Sequence, residues 1–190
     1  MNFLLIAILY TLSGFLMKLS DDEYDEKSNK FIAIVIGILC GIAIAYLTSN
    51  NIEASYIFIG ILIGSLFSLK IDGIHHVFTF FTFIALLLIL GIPDLNLATL
   101  GICAISAFMD EIGNDNEQLY KKSNFFKVFF DYRFSMKISI FILAILGLYQ
   151  SYAGFQIANM DFLSISTLIY FLLFEISYEF AGFIFKNYLK

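Results

Sequence analysis

The chain has 190 residues, 60% of them hydrophobic and only 14% charged, with a formal net charge of −5 and a mean hydropathy of +0.86. A water-soluble domain of this length needs polar side chains over most of its exterior, which this composition excludes. A pI near 4.9, with lysines matched locally by acids, leaves no basic patch and excludes nucleic-acid binding.

Apolar runs predict membrane-spanning helices at about 2–19, 31–48, 54–69, 76–92, 95–109, 134–150 and 162–185, each near the length a bilayer core requires. The first run reads as a helix, not a secretory leader. No basic stretch precedes it, no small-residue cleavage site follows it, and Lys18 stands at its downstream end. Gly37 with Gly41, and Gly60 with Gly64, are two GxxxG spacings that let helix backbones approach closely. The third, fourth and fifth runs are short, so the pair flanking Gly91, Ile92 and Pro93 would equally suit a re-entrant hairpin returning to the same side. Cys40 and Cys103 lie inside apolar runs without metal or redox spacing and read as packing residues. The expected architecture is an all-α, polytopic transmembrane helix bundle of about seven helices, one integral membrane domain over residues 1–190.

Seven crossings bring residues 18–30, 70–76, 110–133 and the C-terminus to one face. Ten of the eleven Lys and Arg residues fall there, and Lys137 stands at the mouth of the sixth span beside them, which makes that face cytoplasmic and the N-terminus external, as in a multi-pass protein of the cytoplasmic membrane. Of the sixteen carboxylates, Glu53, Asp94 and Asp161 alone fall in the opposite loops. Positive-inside topology asks for basic residues and gives no reason for so many acids beside them.

Those acids form two clusters in the expected cytoplasmic loops 20–30 and 110–133. In the first, Asp21, Asp22 and Asp25 follow the first span, with Asp21 and Asp25 four apart on one helix face. In the second, Asp110 with Asn114, and Glu111 with Asp115, repeat that spacing after the fifth span. Lys27-Ser28-Asn29 follows the first cluster and Lys122-Ser123-Asn124 the second, a hint of internal duplication. Like charges on one face repel unless a cation lies between them, and carboxylate pairs completed by phosphate oxygens are a usual way of holding Mg²⁺. The plain alternative is a solvated acidic loop.

The pattern resembles the UbiA-type intramembrane prenyltransferases, in which two aspartate-rich cytoplasmic motifs four helices apart hold Mg²⁺ and a prenyl diphosphate. The resemblance implies Mg²⁺ at Asp21, Asp22, Asp25, Asp110, Asn114 and Asp115. It covers little more than these motifs. Ser20 stands where the family has an Asn, and about seven helices replace the usual nine. Lys70, Lys122, Arg133 and Lys137 are candidate partners of phosphate oxygens; Arg133 and Lys137 are the stronger pair, four apart at the mouth of the sixth span.

Glu175 lies about thirteen residues into the last span, roughly 20 Å deep by helical rise, with Glu179 following on the same face. A carboxylate there costs on the order of 2.5–3.5 kcal/mol unless paired, protonated or wet, so both are candidate site residues. His75 and His76, adjacent in a turn after Asp72, are expected to lie in a surface turn and not to face one metal from a regular helix, with His75 or His76 as a candidate substrate contact. The leading reading is Mg²⁺-dependent binding or transfer of a prenyl or other lipid diphosphate, with membrane lipid as partner and a homo-oligomer helping to enclose the cavity. The alternatives are a cation transporter using Glu175 and Glu179 and a noncatalytic membrane scaffold.

Overall fold

A computed structural model of the chain describes residues 1–71, 73–116, 118, 121, 123–154 and 160–189. Among them are eight α-helices and no strand: α1 (Phe3–Asp25), α2 (Lys30–Asn50), α3 (Ile52–Phe67), α4 (Ile74–Leu90), α5 (Leu97–Asp115), α6 (Asn124–Asp131), α7 (Phe134–Ala153) and α8 (Ile165–Ile184). The last continues as a π-helical turn over Phe185–Leu189.

Each apolar run forms a helix because burying its side chains, in protein or in lipid, requires the backbone to satisfy its own N–H and C=O groups. Only the ends then need partners, and short polar side chains supply them. Asn2 accepts from Leu5 N–H at 2.8 Å, Asn29 from Ile32 at 3.3 Å, Asn96 from Ala98 at 3.0 Å, and Ser123 from Phe125 at 3.1 Å. Gly91, at φ +91°, ends α4 in a conformation that a side chain would strain. By length and composition α1, α2, α7 and α8 with its π turn are able to cross a membrane. The 16 residues of α3 and 17 of α4 rise only about 24–26 Å, against a hydrocarbon core of about 30 Å.

Two helix ends differ from the sequence expectation. α1 runs through Asp25 and α5 through Asp115, so both acidic stretches begin as helix, and α6 lies inside the second. Neither stretch contains a proline, and a helix leaving an apolar medium keeps its internal hydrogen bonds until something competes for them.

The helices sort into two compact units. The first comprises Met1–Ile52, Ile71–Pro93 and Ile169–Lys190, and therefore α1, α2, α4 and most of α8. Its seams are lined by small residues. A Cβ on Gly37 would strike Thr79 Oγ1, and one on Gly41 would lie 2.9 Å from the Thr79 carbonyl, so this GxxxG pair seats α2 against α4. A Cβ on Gly14 would strike the Phe174 carbonyl, and Ser177 Oγ donates to Thr11 O at 2.7 Å, which joins α8 to α1. Tyr10, Phe171, Phe174 and Phe185 are fully buried, while Leu4, Phe31, Phe81, Leu88 and Ile89 are exposed.

The second unit comprises Glu53–Lys70 and Asp94–Leu168, with α3, α5, α6 and α7. Cβ atoms added to Gly60 and Gly64 would lie 2.7 Å from those of Cys103 and Ala107, so the second GxxxG pair seats α3 on α5. Ser106 and Ser139 hydroxyls meet at 2.6 Å between α5 and α7. Gly113 lies directly under the Phe130 ring, which docks α6 on α5.

Candidate functional site

The first unit brings titratable groups together where α1 ends and α4 begins. Asp21 Oδ1 lies 3.3 Å from Nε2 of His75 and 3.8 Å from Nε2 of His76. These three donors lie within 4.8 Å of one another, in the one such cluster found among the described residues. The other Asp21 oxygen accepts from the Tyr178 hydroxyl of α8 at 3.2 Å. His75 is buried, 2% exposed, while Asp21 and His76 are half-buried. The two imidazole rings are 3.9 Å apart, and the Tyr24 ring packs on His75 at 4.3 Å.

Local sequence explains the arrangement. Gly73 caps α4, and a Cβ there would lie 2.6 Å from Nδ1 of His75, so only glycine leaves room for that ring. Thr79 Oγ1 donates to the His75 carbonyl at 2.9 Å beside Gly37, fixing the first turn of α4 against α2. The expectation that adjacent histidines cannot face one metal does not hold here. Their Cβ atoms diverge by about a quarter-turn, but Nε2 is at the far end of each ring, and side-chain rotation in the first turn brings both tips to Asp21.

The neighbouring acids have other partners. Asp22 pairs with Lys18 at 2.9 Å and Glu23 with Lys27 at 3.0 Å, whereas Asp25 is exposed. Among the described residues Asp21 pairs with no lysine or arginine. Farther along α8, Glu175 is buried and Glu179 exposed, so burial separates the two carboxylates that the sequence places on one face.

In the second unit the sequence candidates are engaged one by one. Asp110 is buried and accepts from Ser135 N–H at 3.0 Å and Met136 N–H at 2.8 Å, the second and third amides of α7. The residue before α7 is Arg133, in the left-handed conformation at φ 50°; its side chain has no acceptor, so Asp110 supplies the cap from another helix. Asp110 lies just past the predicted span 95–109. Burial pushes its carboxyl above the ordinary range, opposed by the Ser135 and Met136 hydrogen bonds and by the Arg133 guanidinium. Asp115 is exposed and pairs with Lys70, and Asn114 is exposed. Lys137 folds back onto the Tyr132 carbonyl, 5.3 Å from the Phe134 ring centroid. Lys122 lies outside the described residues.

Sequence reasoning missed what the few acids at the other end of this unit do. Glu53, at the start of α3, accepts from Ser164 N–H at 2.9 Å, Ser164 Oγ at 2.7 Å and Thr167 Oγ1, capping the start of α8. Asp161 accepts the Tyr56 hydroxyl at 2.5 Å, and Tyr56 in turn accepts from Asn96 N–H at 2.8 Å. A cleft of about 500 Å³ opens beside Glu53, Gln150 and Ser151. Ser164, Ser166 and Thr167, polar residues in the first turns of the last apolar run, were the available signal for this cap.

No family model, curated protein or solved structure matches this chain. Chemistry must therefore be argued from the donors themselves. Within each unit the acids implied as Mg²⁺ ligands point to different partners: histidines, Lys18, helix amides or Lys70. The donors that do converge are one carboxylate and two imidazoles, not the all-oxygen shell that Mg²⁺ favours.

Proposed function

We propose that this chain is a multi-pass protein of the cytoplasmic membrane, with its N-terminus external, that binds a prenyl or other lipid diphosphate at its charged face with the help of a divalent cation. The observation that carries the reading is the Asp21–His75–His76 cluster, built where the first unit's helices end in charged residues. A cation there would take phosphate oxygens, and the exposed apolar flanks of α1, α2 and α4 suit a hydrocarbon tail. The prenyl chain, a transferase activity and Mg²⁺ come from the resemblance to UbiA-type enzymes alone. Arg133 and Lys137 are the cations proposed to aid phosphate binding at the charged end of the second unit. Cation transport past Glu175 is the second reading, favoured by the burial of that carboxylate in α8.

The test is thermal stabilisation of the purified chain in detergent by geranylgeranyl diphosphate, with and without divalent metal. Metal-dependent stabilisation that is lost in Asp21→Asn is the expected result. Folded protein that shows no shift with diphosphate and metal together sinks the reading and directs attention to ion flux in Glu175→Gln.

A further inference from the structure

The spacing of Asp21, His75 and His76 is informative about what belongs between them. Asp21 Oδ1 stands 3.3 Å from Nε2 of His75, a long hydrogen bond, and 3.8 Å from Nε2 of His76, beyond hydrogen-bond reach. The shorter of the two separations also matches another geometry, and the other is wider than it. Ligands at about 2.0–2.1 Å from a tetrahedral cation stand roughly 3.3–3.4 Å apart. Around octahedral Mg²⁺, adjacent ligands stand only about 2.9 Å apart.

Three further observations belong to a built site. His75 is almost completely buried, with the Tyr24 ring packed on its imidazole. Gly73 keeps the space for that ring clear, since a Cβ there would lie 2.6 Å from Nδ1. Tyr178 holds the second oxygen of Asp21, as outer-shell groups do when they orient a ligating carboxylate. Charge agrees with geometry. The adjacent Lys18 and Lys27 are taken by Asp22 and Glu23, leaving Asp21 to two imidazoles.

The geometry points to a three-ligand centre for a borderline divalent cation of the Zn²⁺ class, held by Asp21 Oδ1, His75 Nε2 and His76 Nε2. Imidazole nitrogen favours such ions over Mg²⁺. One carboxylate and two neutral imidazoles leave the bound ion with a net charge of +1, so the open fourth position takes an anionic oxygen. This deepens the proposed function by naming the ion, and it rests on that reading only for the lipid phosphate that would fill the open position. Gly73 and Tyr178 are positioning residues.

The test uses the full-length chain in detergent, stripped by chelator and titrated with Co²⁺ alone while the visible bands of tetrahedral Co²⁺ are recorded. One Co²⁺ per chain is expected, displaced by stoichiometric Zn²⁺ and not by a large excess of Mg²⁺. Asp21→Asn and His76→Gln, both at half-buried positions, should each weaken binding at least tenfold. Tyr178→Phe should weaken it by roughly ten-fold with the bands retained. Helical content by circular dichroism establishes that each variant is folded. Folded wild type without tetrahedral bands overturns the inference, as does unchanged binding in Asp21→Asn and His76→Gln, or displacement by Mg²⁺ at concentrations like those of Zn²⁺. Metal bound without any response to geranylgeranyl diphosphate supports the centre and sinks the lipid reading. Diphosphate stabilisation without tetrahedral Co²⁺ does the reverse.

Discussion

Asp110 is the residue whose removal the structure makes most quantitative. Its two oxygens take the second and third amides of α7, at 3.0 and 2.8 Å, and the side chain is 2% exposed. Replacement by alanine orphans two buried donors, and the guanidinium of Arg133, which contains no acceptor atom, cannot cap them in its place. At about 1–2 kcal/mol for each unmade bond, Asp110→Ala should cost on the order of 2–4 kcal/mol. Asparagine keeps one acceptor and brings no charge into the site, so Asp110→Asn should cost about 1 kcal/mol or less. The exposed Asp115→Ala, which loses only its pairing with Lys70, should cost less than about 1 kcal/mol. Acidity supplies a second axis. Burial raises Asp110 above its ordinary 3.8, so protonation favours the folded state. That contribution is fully present below about 3.8 and is lost as pH rises through the raised value. Wild type should therefore gain on Asp110→Asn as the pH falls through that window. Equilibrium unfolding in mixed micelles of rising SDS, read by labelling of the buried thiols Cys40 and Cys103, measures these differences. Asp110→Ala within about 0.5 kcal/mol of wild type would refute the capping account, and asparagine as damaging as alanine would refute its charge argument.

Three other substitutions separate packing from propensity and test the opposite end of the second unit. Gly64→Leu should destabilise by about 2 kcal/mol or more in the same unfolding assay, because even its Cβ would lie 2.7 Å from that of Ala107. Gly101, with nothing within 4 Å of an added Cβ, should gain about 0.5–1 kcal/mol as alanine; equal effects at the two sites would mean that α3 does not seat on α5 through Gly64. Glu53→Ala should cost about 2 kcal/mol and loosen the first turn of α8, read as faster amide exchange at Thr167, whereas unchanged exchange would remove its capping role.

The apolar runs were legible because transfer into hydrocarbon acts on each segment separately. The order of apolar runs along the chain therefore determined that it is helical and where seven of the eight helices among the described residues lie. The ends were less legible. α1 and α5 overran their expected limits, and α6 went unseen although Ser123 marks its start, because an eight-residue helix outside the apolar runs owes its place to Phe130 on Gly113. The site depended on tertiary structure altogether. The four-residue spacing from Lys18 marks Asp22 locally, but nothing local distinguishes Asp21, near two histidines, from Asp110, given over to the amides of α7. Gly37 and Gly41 let α4 approach α2, and Gly73 leaves room for the His75 ring. Only with both in place do two adjacent imidazoles reach one carboxylate more than fifty residues away, since that meeting depends on distances between helices, which no single segment encodes.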